Sequence, residues 1–220
     1  YLAMEDDTNA LKDYEKAIEL APDGPLYFYN RAKFYHQQKE YNLALKDYTS
    51  AIETEQSLAS KMSIYCERAF CYVDAEDYEN ANNDFNQVIK LDPENTSPYF
   101  YRAKMYHKLS ESEKEKKDYL RAIELNDEDP EGYYYLADFY LKQNKLFHTI
   151  NYYTKSIIKL SANLGYSITS ENGIDKIELT DVYIKRAEVY KNADAIDLMC
   201  EDYKSSCDLG DCELFNTNCK

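Results

Sequence analysis

The 220-residue chain has no Trp and only five Gly and five Pro. Such sparse helix breakers suit long helical hairpins, and no low-complexity stretch interrupts them. No run of 18 or more apolar residues occurs, so no segment reads as a membrane-spanning helix. Basic charge is short: 26 Lys and Arg stand against 41 Asp and Glu, a net charge of −15. Phosphate neutralisation needs a basic surface, so nucleic acid is not an expected partner. An acidic surface serves solubility first. Glycine-rich phosphate loops, H-E-x-x-H and G-x-S-x-G are all missing. No catalytic residue, metal or cofactor is expected, and the chain reads as a non-enzyme. Acidic pairs such as Glu111 and Glu113 read as a solvated face.

Tyrosine is plentiful instead, with 24 copies, and its placement is periodic. The spacing Ala-x-x-Tyr recurs at Ala32 and Tyr35, Ala69 and Tyr72, Ala103 and Tyr106, Ala137 and Tyr140, and Ala187 and Tyr190. A second aromatic follows each time, and one precedes the first: Tyr14, Tyr48, Phe85, Tyr119, Tyr153 and Tyr203. Steps between these aromatics are 34, 37, 34, 34 and 50 residues. A 34-residue period of small and aromatic anchors is the signature of a helical-hairpin array. Two antiparallel helices approach closely only where one presents a small side chain, and the neighbour's aromatic fills that notch. Asp precedes the second aromatic at Asp13, Asp47, Asp84, Asp118 and Asp202. Arg precedes the first-helix Ala at Arg31, Arg68, Arg102 and Arg186.

The pattern resembles the tetratricopeptide repeat. Second helices carry the family's small–aromatic–small set as Ala10, Tyr14 and Ala17, then Ala44, Tyr48 and Ala51, then Ala81, Phe85 and Val88. Pro22 and Pro93 stand at the family's turn position. Several positions depart. Phe28, Tyr65, Tyr99, Tyr133 and Tyr183 replace the first-helix Trp, and Glu115, Thr149, Ser156, Met199 and Ser206 occupy small-residue positions. The resemblance implies an all-α, right-handed superhelical solenoid of antiparallel helix pairs, stabilised by stacking.

The repeat predicts one solenoid domain over 1–220. A partial repeat covers 1–24, and full repeats cover 25–58, 62–95, 96–129, 130–163 and 180–211. A capping helix is expected over 211–220, with Asp211 as N-cap and Leu214 and Phe215 covering the last apolar face. An insertion at 164–179, with Gly165, Ser167, Ser170, Asn172 and Gly173, reads as a loop. Tyr1 falls on a first-helix aromatic position, so the chain reads as a piece of a longer protein that self-associates through the broken repeat. Any signal sequence lies upstream of it.

In the family, first helices line a concave groove that receives partner segments. Carried onto this chain, the lining includes Tyr29, Lys33 and His36, then Phe70, then Phe100, Lys104, His107 and Lys108, then Tyr134 and Asp138, with Asp181, Ile184, Glu188 and Lys191 in the last repeat. Aromatic anchors there suit an extended peptide or an amphipathic helix. Lys33, Lys104 and Lys108 make repeats two to four locally basic, with His36 and His107 adding charge once protonated. His36 and His107 occupy equivalent places two repeats apart, too distant to act on one atom. Asn30 matches one position of the family's carboxylate clamp, but Ser63 and Glu67 stand where the next helix should offer Lys and Arg. The expected function is a protein-interaction scaffold. The alternative is a structural or assembly module of a longer protein.

Four of six cysteines, Cys200, Cys207, Cys212 and Cys219, fall in the last 21 residues. This ending resembles the Cys-containing cap of certain bacterial tetratricopeptide proteins. It implies a disulfide from Cys200 or Cys207 to Cys212 or Cys219 if the protein is exported. Reduced cysteines filling the cap are the alternative. Zinc is disfavoured, because no C-x-x-C pair is present. Cys66 and Cys71 read as small apolar residues. The resemblance implies a soluble protein of the bacterial cytoplasm or periplasm.

Overall fold

The computed structural model describes residues 2–162, 167–169 and 176–219. The expectations built on Tyr1, and on Gly165, Ser170, Asn172 and Gly173, lie outside the described residues. The chain divides into two compact units, residues 1–109 and 110–220. Unit one holds α1 (Leu2–Leu20), α2 (Pro25–Gln37), α3 (Tyr41–Thr54), α4 (Leu58–Asp74), α5 (Tyr78–Leu91) and α6 (Ser97–Lys108). Unit two holds α7 (Ser112–Leu125), α8 (Pro130–Lys142), α9 (Leu146–Ala162), β1 (Ser167–Thr169), β2 (Lys176–Glu178), α10 (Leu179–Asn192), α11 (Ile196–Asp208) and α12 (Glu213–Asn218). Each is a stack of tetratricopeptide-type helix pairs, as the period predicts, and unit two adds the short β1–β2 pair.

Helix starts follow local chemistry. Pro25, Pro98 and Pro130 stand in the first turns of α2, α6 and α8, where their missing N–H costs nothing. Asp77 accepts from the Asn80 N–H at 3.2 Å and Asp129 from the Glu131 N–H at 2.9 Å. The ends of the first helices are less expected. Lys39, Glu76, Ser110, Asn144 and Asp194 all adopt positive φ, between 55° and 61°, where glycine is the usual choice. In four of these turns the N–H three residues beyond the helix donates to the carbonyl of the repeat's own tyrosine. The bonds are Glu40 to Tyr35 (2.9 Å), Asp77 to Tyr72 (2.8 Å), Lys145 to Tyr140 (3.0 Å) and Ala195 to Tyr190 (2.9 Å). One turn geometry thus sets the angle between the two helices of a pair.

The small–aromatic notch is filled as expected. Ala32, Ala44, Tyr48 and Ala51 are fully buried together in unit one, as are Ala81 and Phe85. In unit two, Ala137 and Tyr153 lie in one cluster, and Ala187 and Tyr203 in another. Two of the three hydroxyls that replace small residues find acceptors: Ser156 donates to the Pro130 carbonyl at 3.0 Å and Thr149 to the Lys145 carbonyl at 3.1 Å, whereas the Ser206 hydroxyl is buried without a partner among the described residues.

The Arg and Asp singled out by spacing meet. Arg31 and Asp47, Arg68 and Asp84, and Arg186 and Asp202 form two-pronged pairs at 2.6–2.9 Å, with each carboxylate nearly buried. The guanidinium also reaches back one repeat. Arg68 donates to Thr49 at 2.8 Å, Arg186 to Thr154 at 2.7 Å, and Arg102 to Asn86. Repeat five dispenses with both partners: buried Leu136 stands in the Arg place and Tyr152 in the Asp place.

The insertion departs from the loop expectation. β1 and β2 pair antiparallel, Ile168 opposite Ile177 and Thr169 opposite Lys176. Ile177 is buried in the core with Tyr153, Ile157 and Val182, so β2 is tied to the array by an apolar side chain. The cap helix starts one residue later than expected, with Cys212 at the N-cap. Asp211 still accepts from the Glu213 N–H at 3.4 Å.

Arg186→Ala strands the Asp202 carboxylate in the interior, a loss of about 3–5 kcal/mol. Arg186→Lys recovers little of it, because an ammonium cannot bridge Asp202 and Thr154 in the same planar geometry. Urea unfolding of the two variants checks both statements.

Candidate functional site

First helices lie side by side within each unit. In unit one, Tyr29, Lys33 and His36 of α2 face Glu67, Phe70 and Asp74 of α4. Lys33 lies 3.7 Å from Glu67 and over the Tyr29 ring at 5.5 Å. The Tyr29 hydroxyl donates to Glu67 at 3.5 Å. His36 Nε2 sits 2.9 Å from Asp74. Phe70 makes an edge contact with Tyr101 of α6, ring centroids 4.6 Å apart. In unit two, Asp138 of α8 meets Lys185 of α10 at 2.8 and 3.0 Å and accepts from the Tyr153 hydroxyl. Lys185 also lies 4.5 Å from the centre of the Tyr134 ring.

These contacts obey one positional rule. The residue after the repeat's Ala meets the residue before the next repeat's Arg: Lys33 with Glu67, Phe70 with Tyr101, Asp138 with Lys185. The charge order is reversed between the two units. Lys185 is the member that sequence reasoning missed. Its offset matches Glu67 and Asn30, and the opposite charge at Asp138 was the available signal.

The local basicity expected of repeats two to four is reduced in unit one. Glu67 neutralises Lys33, and Asp74 sits against His36. Phe100, expected as an apolar anchor on the groove, is buried, with Lys104 over its ring at 5.6 Å. Lys104 and His107 have further partners. Tyr29, Phe70 and Tyr134 remain half-buried, and Lys108 is exposed.

Burial governs the titrating groups of this face. It pushes the phenols of Tyr29, Tyr134 and Tyr153 upward, Tyr153 further through the adjacent Asp138 charge. Burial opposes the charge of Lys185, but Asp138 more than compensates and its pKa is raised. Tyr48 is wholly buried, and its hydroxyl has no hydrogen-bond partner among the described residues. Burial, with Asp74 nearby, pushes the Cys71 thiol up to about 12.

The far end of unit two is covalently closed. Cys200 bonds Cys219 and Cys207 bonds Cys212. Leu214, Phe215 and Cys219 pack on Ala187, Met199 and Tyr203, so α12 covers the last apolar face. Cys66 and Cys71 are free thiols. Among the described residues no cluster of three or more His, Cys, Asp or Glu fits a metal ion. No described helix is long and apolar enough to cross a membrane.

Family models described as TPR repeat or tetratricopeptide repeat match residues 1–39, 26–57, 63–95 and 118–147. The chain belongs to the tetratricopeptide-repeat family. It is 33% identical over 93 residues to human serine/threonine-protein phosphatase 5, which is 42% of this chain and 18% of that protein. The match thus spans under a fifth of this relative's length. Among solved structures, BtubC from P. vanneervenii superposes with a TM-score of 0.69 at 17% identity, covering 91% of this chain and 87% of that one. YrrB, described as a TPR protein with an unusual peptide-binding site, superposes with a TM-score of 0.57 at 18% identity, covering 93% and 95%. These likenesses concern the fold.

Two stability predictions follow from this geometry. An unfolded thiol ionises near 9 and folded Cys71 near 12. Between those values the unfolded chain has released a proton that the folded chain keeps, so rising pH favours unfolding. Stability is full below about pH 9 and declines towards about pH 12, with buried Tyr48 and Tyr153 adding to the loss above about pH 10. Urea midpoints across that window measure the slope, and Cys71→Ala leaves the tyrosine part alone. The Cys200–Cys219 bond spans 19 residues. Reducing both bonds should cost about 3 kcal/mol and open α12 to protease, read by limited proteolysis with and without dithiothreitol.

Proposed function

We propose that the chain is a non-enzymatic scaffold that binds a segment of a partner protein on the first-helix faces of its repeats. One observation carries this reading: half-buried rings at Tyr29, Phe70 and Tyr134 sit beside charges already matched, Lys33 by Glu67 and Asp138 by Lys185. A face of this kind offers ring contact and directed hydrogen bonds with little net field. That suits a peptide or helix better than a nucleic-acid backbone. Membership of the repeat family supports the reading, as does the peptide-binding site named for YrrB. Two disulfides in the cap support residence in an oxidising compartment, where such bonds persist. Self-association is a second reading, favoured by Leu20 and Leu26, which are 78% and 62% exposed near the α1–α2 turn.

The test is a comparative pull-down from source lysate with the chain and a Tyr29→Ala, Tyr134→Ala variant, circular dichroism confirming that the variant folds. A prey protein held by the first bait should fall at least tenfold with the second. Identical prey lists would overturn the assignment to the first helices.

A further inference from the structure

The outer side of α9 has a different chemistry from the rest of the chain. No Asp or Glu occurs between Asp138 and Glu171, although the chain as a whole carries −15. That acid-free stretch contains the whole of α9, with Lys145 just before it and Lys155 and Lys159 within it. At about 100° per residue, Phe147, Asn151 and Ile158 fall on one line along the helix, with His148 and Lys155 beside it. Phe147 is 80% exposed and Ile158 57%. These are large apolar side chains in open solvent.

The lysines on this face are held in place by rings. The loss of the Arg–Asp pair in repeat five brings Tyr152 into a column of aromatics. Tyr152 stacks on Tyr140 at 5.5 Å and on Tyr133 at 6.5 Å, and His148 stacks on Tyr140 at 4.8 Å. Lys155 lies over the Tyr152 and Tyr133 rings at 5.3 and 5.7 Å, and Lys145 over Tyr140 at 5.7 Å. Among the described residues neither ammonium has a carboxylate within ion-pair distance. Lys159 differs, because Glu128 from the preceding turn pairs with it at 2.6 Å. Ring faces fix a cation without neutralising it. Two positioned, uncompensated cations therefore lie to one side of an exposed apolar line in an otherwise acidic protein.

We propose that the outer face of α9 docks an acidic amphipathic helix from a partner protein. Phe147 and Ile158, about 16 Å apart along the axis, supply apolar contacts over three turns of such a helix. Lys145 and Lys155 receive its carboxylates. Two isolated apolar side chains are too few to anchor in a bilayer. This surface is separate from the first-helix faces, so either assignment can fail alone.

The test uses the whole chain and two synthetic 18-residue amphipathic peptides, one of Leu and Glu and the other with Lys in place of Glu, followed by fluorescence anisotropy. The Glu peptide should bind, and the Lys peptide at least tenfold more weakly. Phe147→Ser with Ile158→Ser, and separately Lys145→Glu with Lys155→Glu, should each weaken the Glu peptide at least tenfold. Tyr29→Ala should leave it unchanged. All substituted α9 side chains named here lie at the surface except the part of Lys155 over the rings, and circular dichroism checks folding. Failure of the Glu peptide to bind, equal binding of both peptides, or indifference to both α9 pairs would overturn the proposal. So would capture on phosphatidylglycerol vesicles through these residues with no peptide binding.

Discussion

The arginine that precedes the first-helix alanine in repeats two, three and six is the group on which the described architecture turns. Its planar fork holds the aspartate of its own second helix, 16 residues on, and in Arg68 and Arg186 the remaining donor reaches a threonine hydroxyl of the previous repeat. One side chain therefore couples the geometry within a hairpin to the geometry between hairpins. The aspartates are nearly buried, and a buried carboxylate is tolerable only when paired and hydrogen-bonded. Burial of such a pair is not in itself a large gain over well-packed apolar groups. Repeat five is the natural comparison. With Leu136 in the arginine place and Tyr152 in the aspartate place, the same hairpin is closed by apolar burial and ring stacking.

A second layer of pairing runs along the first helices. Lys33–Glu67, Phe70–Tyr101 and Asp138–Lys185 occupy equivalent positions and each joins one repeat to the next. Charges used in this way set stacking register and are largely withdrawn from long-range attraction of a partner. The surface left for recognition on these faces is chiefly ring edges and half-satisfied polar groups. On α9 the arrangement is different, because Lys145 and Lys155 rest on tyrosine faces and not against carboxylates.

Much of this was legible before any coordinates. The alternation of Ala and aromatic at 34-residue intervals fits only a close helix–helix approach, and it located the hairpins and their buried residues. The disposition of Arg31, Arg68 and Arg186 before the alanines, and of their aspartates before the aromatics, was legible as a pattern although its bonding was not. Other features carried no composition signal. The turns between paired helices use Lys39 and Glu76 at positive φ, where glycine is the usual choice, alongside Asn144 and Asp194, which tolerate it. A local bond to the tyrosine carbonyl five residues back closes each turn. The strands β1 and β2 were hidden because three-residue strands have no measurable period, and their placement rests on the burial of Ile177. The groove charge was misjudged for a related reason: Glu67 and Asp74 lie one repeat away from Lys33 and His36, and only stacking brings them together.

The sequence by itself determined the helical period, the family and the small and aromatic residues that fill the hairpin notches, because those depend on spacing along a chain of known helical geometry. It also determined that four cysteines crowd the C-terminal end. Tertiary structure alone decided that Cys200 pairs with Cys219 and Cys207 with Cys212, and that Tyr48 buries an unpartnered hydroxyl while Tyr153 donates to Asp138. It decided as well which lysines are matched and which stand on rings. These outcomes depend on distances between repeats, and a one-dimensional period does not encode them.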